Sequence, residues 1–182
     1  MTEQPLNHEN RFNGTIRLVR EEDETALHPI LETWIRDGDT HQIIPDEIEG
    51  VLNAVRESAQ GTNDATYLVA ETPEGEVIGM MGFRPPEERM MAYTTTSNPV
   101  EFVNAFVAKD HRGGKGVGSK LVSALREQAK DKGHTEVVFN SGPRYKFSGW
   151  PIWLRLFGRP IAKAKGYYGE DGDASVWREE LK

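Results

Sequence analysis

The residues best suited to chemistry lie together at Arg112, Gly113, Gly114, Lys115, Gly116, Val117, Gly118 and Ser119. Glycines at this density let a backbone approach a bound group closely. Arg112 and Lys115 add positive charge, and Ser119 adds a hydroxyl. Helical periodicity begins directly afterwards, so the loop opens a helix whose unpaired amides and dipole favour an anion. The chemistry is that of holding a phosphate or pyrophosphate.

Known phosphate loops fit unequally. A mononucleotide loop needs GxxxxGK[ST]. Gly113 and Gly118 have that spacing, but Ser119 and Lys120 follow in the wrong order. A dinucleotide loop needs GxGxxG in a first βαβ unit. Gly114 and Gly116 supply GxG, but Ser119 stands at the last position and the loop comes late in the chain. A glycine cluster without a ligand is the third alternative.

The loop has to be positioned by the elements around it. Val100 to Ala108 reads as an apolar strand before it. After it, Val117, Leu121, Val122, Leu125 and Ala129 form one helical stripe, ended near Lys132 and Gly133. Thr135 to Asn140 is a further strand. This strand, loop, helix, strand order is βαβ-like and calls for some parallel pairing. Upstream, Thr15 to Val19 is a short strand. A helix capped by Asp23 and stopped by Gly38 buries Leu27, Ile30, Leu31, Trp34 and Ile35. A second helix spans about Pro45 to Ala59. Thr66 to Glu71 and Glu76 to Phe83 form a hairpin about Pro73 and Gly75. Glu87 to Pro99 reads as connecting loop. Downstream, Trp150, Trp153, Leu154, Leu156 and Phe157 crowd into a short helix, and Ser175 to Glu179 is a closing strand.

Composition narrows the function. The chain has 182 residues, a size for one domain, expected over 14–182 behind a polar, disordered leader at 1–13. A net charge of −7 argues against nucleic-acid binding, which needs a basic face. It mostly serves solubility, and it also accommodates a cationic amine. No apolar run is long enough to span a bilayer, so no membrane contact is expected. The N-terminus has no signal-peptide core, and the cytoplasm is the expected compartment. There are no cysteines, hence no disulfide or thiol nucleophile. The five histidines show no metal-ligand spacing, and no metal is expected.

The strand Glu101 to Val107, followed by Arg112, Gly116, Gly118 and Leu121, resembles the central motif of the GNAT N-acetyltransferases, roughly [QR]xxGx[GA]. The element order over about 15–181 is similar to that family as well. The basic residue, Arg112, stands four rather than three residues before Gly116, so either the loop carries one extra glycine or Gly113 replaces the basic residue. The resemblance implies a single α/β (α+β) domain with a mixed, mainly antiparallel central sheet flanked by helices. It implies acetyl-CoA as acyl donor and an unidentified amine as acceptor, joined by direct attack in a ternary complex. Arg112 to Ser119 would hold the pyrophosphate. The backbone of Ala105, Phe106 and Val107 would pair with the pantetheine arm, with Phe106 as an oxyanion donor. Asn140 would also contact the cofactor.

The implied catalytic groups are less regular. Glu101 is the candidate base that deprotonates the amine. Alternation along the strand puts it on one face with Val103, Ala105 and Val107. The family's acid, a tyrosine four residues before a glycine, falls on Leu154 when aligned on Gly158 and is missing. Tyr168, Tyr167 and Tyr145 are the candidate substitutes. Trp150, Trp153 and Phe157 read as core, as homodimer contact or as the wall of an acceptor pocket. Two other functions are consistent with these features: an acyl-CoA-binding domain without turnover, and an interaction module using the aromatic C-terminal segment.

Overall fold

The computed structural model describes residues 11–182. Residues 1–10 of the expected leader lie outside it, whereas Phe12 is anchored through its amide to the Lys115 carbonyl at 2.8 Å. The sheet has seven strands in the order β1-β2-β3-β4-β5-β7-β6. They are β1 Thr15–Leu18, β2 Thr66–Glu71, β3 Val77–Arg84, β4 Pro99–Val107, β5 Glu136–Ser141, β6 Ala162–Ala164 and β7 Ala174–Glu180. Every pairing is antiparallel except β4 with β5, which is parallel. The helices are α1 Glu24–Trp34, α2 Pro45–Gln60, α3 Glu88–Met91, α4 Val117–Asp131 and α5 Trp150–Phe157.

Each face of the sheet buries its own core. On one face, α4 packs Val117, Leu121, Val122, Leu125 and Ala129 onto Leu68, Ile78, Phe102 and Val137, and α5 adds Trp153. On the other, α1 and α2 pack Leu27, Leu31, Ile48 and Leu52 onto Val69, Met80 and Phe106. Trp177 is fully buried, with its ring stacked on Phe139 at 5.3 Å. The α2 ends follow their sequence signals: Pro45 opens the helix, Asp46 and Glu47 face its positive end, and Gly61 closes it at φ 68°.

Several local expectations change. The first helix ends at Trp34, not Gly38, because Ile35 leaves the helical region (ψ 83°). The Asp37 carboxylate then accepts hydrogen bonds from the Asp39 and Thr40 amides and closes a tight turn. Asp23 does not cap α1 with its side chain; its carboxylate accepts bonds from Arg17 and the Arg20 amide. Pro29 sits in the second turn of α1, so the Thr25 carbonyl has no helical donor. A short helix, α3, occupies the region expected to be loop, and β6 was not foreseen.

One departure bears on the site. Between the Gly82–Val103 and Met80–Phe106 pairs, β4 holds one more residue than β3. This is a β-bulge, and Asn104 takes φ 54° within it. Alternation is therefore interrupted. Val103 and Phe106 face α1 and α2, whereas Ala105 and Val107 join the α4 core. The expectation that Glu101 shares a face with Ala105 and Val107 is thus corrected: the bulge places them on the opposite side of the sheet from Val103.

Candidate active site

The cleft arises where two parallel strands part. β4 and β5 pair only from Pro99–Glu136 to Glu101–Val138. Beyond that the strands separate, and Phe139 turns to aromatic partners, with Trp153 at 5.0 Å and Phe157 at 4.7 Å. Two cavities fill the opening, of about 480 and 250 Å³. They share walls of Trp34, Met81, Ala105, Phe106, Gly149 and Trp153.

The smaller cavity is built on the glycine loop. Gly113, Gly114 and Gly116 have φ of 78°, 91° and 87°. A Cβ at any of them would meet no atom within 4 Å, so left-handed backbone rather than crowding calls for glycine there. Gly116 is the N-cap of α4, and the first turn of that helix carries no acidic residue. The amides of Val117, Gly118 and Ser119 therefore open toward the loop without helical acceptors or a compensating carboxylate. His111, Arg112, Lys115 and Arg155 line the cavity, and among the described residues no aspartate or glutamate does. Arg155 comes from α5 and donates to the Ser119 hydroxyl at 3.0 Å. Nothing in its sequence neighbourhood marked it, since it reaches the loop only through the packing of α5 on α4.

Arg112 is not simply presented to this cavity. Its Nε donates to the Val107 carbonyl at 2.7 Å and its Nη2 to the Thr33 hydroxyl at 2.7 Å. Its guanidinium lies over the Trp34 ring, 3.9 Å from the centroid. Burial lowers its pKa. The Val107 carbonyl also accepts from Trp34 Nε1 at 2.8 Å, which marks it as facing away from β3. The Ala108 amide donates to Ile78 of β3. Alternation gives the Phe106 peptide groups that same direction, away from the open edge where its oxyanion role had been expected.

The larger cavity carries the acids. Glu101 is 2 % exposed and accepts the Glu87 amide at 3.0 Å, with Arg84 Nη2 at 3.7 Å. Burial pushes its pKa up, against the lowering pull of that amide and of Arg84. Glu87 and Glu47 also line this cavity. Each meets an arginine: Glu87 pairs with Arg84, and Glu47 with Arg144 at 2.6 Å. The latter pair joins α2 to the segment after β5, a contact between residues 97 apart that the sequence did not show.

Tyr168 and Tyr167 both reach this cavity. The Tyr168 hydroxyl donates to Asn140 Oδ1 at 2.5 Å. The residue is 57 % exposed as a whole, but its hydroxyl end lies within the cleft. Desolvation there, then nearby Tyr145 and Glu101, push its pKa up to about 12. Tyr167 donates to Glu87 at 3.0 Å, and burial with that bond raises its pKa as well. Asn140, expected at the cofactor, is thus engaged with Tyr168. Of the aromatic cluster, Trp153 is buried and lines both cavities, while Trp150 bonds Ser141 at 3.1 Å and lines neither. No group of His, Asp or Glu among the described residues is arranged to hold a metal ion.

An acid-free basic cavity at a helix start thus adjoins an acid-bearing one where the two parallel strands part. The family model described as Acetyltransferase (GNAT) family matches residues 22–144, and the chain belongs to that family. No curated protein matches the sequence. Solved structures resemble it along its length. A GNAT-family protein from Desulfovibrio desulfuricans superposes with a TM-score of 0.73 at 16% identity, covering 92% of this chain and 99% of its own. A Salmonella typhimurium protein solved with its cofactor acetyl-CoA gives 0.64 at 20%, covering 93% and 95%. A ribosomal-protein-alanine N-acetyltransferase from Brucella melitensis gives 0.64 at 22%, covering 92% and 99%. At these identities the likeness shows the fold. No described helix is long and apolar enough to cross a membrane.

Proposed function

We propose that this protein transfers an acetyl group from acetyl-CoA to the amine of a small molecule, by direct attack. The observation that carries this reading is the pair of joined cavities, one basic and free of acids, the other holding Glu47, Glu87 and Glu101. The smaller cavity fits the donor's pyrophosphate: open amides of Val117 to Ser119, three left-handed glycines, Lys115 and Arg155. The open edge of β4 at Val107 is the place for the pantetheine arm, beside Ala105 and Phe106.

Bound there, the donor supplies a thioester carbonyl that an uncharged amine can attack. The acceptor occupies the larger cavity, whose volume of about 480 Å³ suits a small molecule. Glu101 takes the proton of the incoming ammonium. Its raised pKa brings it closer to the amine's and makes it a better base than an ordinary carboxylate. Nitrogen forms its bond to the carbonyl carbon, the carbon–sulfur bond breaks, and the nitrogen gives up its second proton to water to leave the neutral amide. Tyr168, held by Asn140 and kept protonated by its raised pKa, donates its proton to the departing sulfur. Solvent then returns both groups to their starting states.

The test is release of free coenzyme A from acetyl-CoA across a panel of small primary amines, read with a thiol reagent. The chain has no cysteine, so the protein adds no background. Amine-dependent thiol release supports transfer. Donor binding without release by any amine contradicts it and leaves a domain that binds acyl-CoA without turnover.

A further inference from the structure

Arg112 lines the smaller cavity and lies against Trp34, which lines both cavities. It is fixed at three places: Val107 through Nε, Thr33 through Nη2, and the indole face of Trp34. Trp34 is the last residue of α1 and lines both cavities. Its ring packs against Phe106 at 6.0 Å and Tyr145 at 6.1 Å, and its Nε1 shares the Val107 carbonyl with Arg112. Thus one carbonyl at the open edge of β4 holds both the arginine and the tryptophan.

Two further facts show what the arrangement lacks. Arg112 makes no ion pair among the described residues, and its Nη1 has no hydrogen bond there. Burial lowers its pKa, so the charge gains from an anion. The smaller cavity, which Arg112 lines, supplies none.

We propose that Arg112 is a positioning residue that fixes Trp34 as the wall between the cavities, so that an anion bound at the glycine loop sets the shape of the acceptor cleft. This rests on reading the smaller cavity as the donor site. An anion on Nη1 adds a charge-assisted hydrogen bond to the guanidinium and holds its plane against the indole. Trp34, stacked beneath it, is then held against Phe106 and Tyr145. A lysine in its place keeps the charge but has neither the planar fork nor the stacking face. Donor binding and the acceptor wall are thereby coupled through one side chain, an energetic linkage between two sites.

The four tryptophans make the test direct, since each gives one indole N–H resonance. Trp150 and Trp177 line neither cavity and serve as internal references. The probes are acetyl-CoA and inorganic pyrophosphate. Pyrophosphate has no arm with which to touch Trp34. The Trp34 resonance, assigned with Trp34→Phe, should shift on adding either probe, in step with binding measured by calorimetry. In Arg112→Lys it should already be displaced in the free protein, with the reference signals unmoved, and pyrophosphate should move it no further. The proposal is overturned if Trp34 keeps its wild-type position in Arg112→Lys. It is overturned too if a probe binds without moving Trp34, or if the shift survives in Arg112→Lys. Absence of calorimetric binding by either probe to the wild-type protein instead overturns the donor-site reading, so the two failures are distinguishable.

Discussion

Replacing Glu101 with glutamine separates its chemistry from its place in the fold. The carboxylate is buried and makes one close hydrogen bond, from the Glu87 amide at 3.0 Å. Glutamine is nearly the same shape and keeps an oxygen for that amide, so no cavity is created, and its new N–H groups stand in a position that lines the larger cavity. Arg84 retains its pair with Glu87. What is lost is the basic lone pair. Removal of a positioned general base costs about 10²–10⁴ in rate, equivalent to about 3–5 kcal/mol of barrier. Glu101→Gln should therefore lower kcat/KM by that factor with the best acceptor of the amine panel. The acid limb of the pH–rate profile should vanish with it.

Stability should move the other way. The folded-state pKa of Glu101 lies above its unfolded value, so the folded form favours the protonated group. That favourable contribution is present at low pH and is lost as pH rises through the raised pKa. Glutamine cannot ionise and escapes the loss. Its Tm should match wild type in acid and exceed it at neutral pH. By contrast, Glu101→Ala leaves the Glu87 amide unpaired, at a cost of about 1–3 kcal/mol. Wild-type kcat and an unchanged acid limb in a folded Glu101→Gln protein would refute the role of Glu101 as base.

Tyr168→Phe removes the proton donor and the bond to Asn140; kcat should fall by up to about 10²-fold, with the smaller loss seen for donors whose leaving thiol is more acidic. Gly116→Ala meets no atom but must hold φ 87°, so it should cost about 1–2 kcal/mol by chemical denaturation and weaken acetyl-CoA binding. Trp177→Ala empties a fully buried site between Phe139 and Trp150 and should cost about 3–5 kcal/mol in the same assay.

What the sequence made legible was periodic and local. The stripes of α2 and α4 continue over several turns, so each helix follows from its own residues. The β2 strand has the bounds its β-branched and aromatic residues implied. The glycine loop was visible because left-handed backbone demands glycine at 113, 114 and 116. What escaped was set by partners. The Asn104 bulge follows from the register of β4 against β3, and it moved Ala105 and Val107 across the sheet. The three residues of β6 form a strand because β7 offers an edge. Trp34 read as one more apolar position of a helical stripe. Only the folded chain brings it beneath Arg112, 78 residues later, and shows it as a wall of both cavities.

If the loop at 112–119 holds the anionic part of acetyl-CoA, a carboxylate placed in it must exclude the donor. Ser119→Glu tests it most directly. Ser119 lies in the first turn of α4, where a carboxylate suits the helix dipole and can pair with Arg155. The variant should fold at least as well as wild type, yet its new charge occupies the anion site. Acetyl-CoA titrated by calorimetry should bind the wild-type protein at one site and should not bind Ser119→Glu. Equal binding by both proteins, or none by the wild type, would contradict the account.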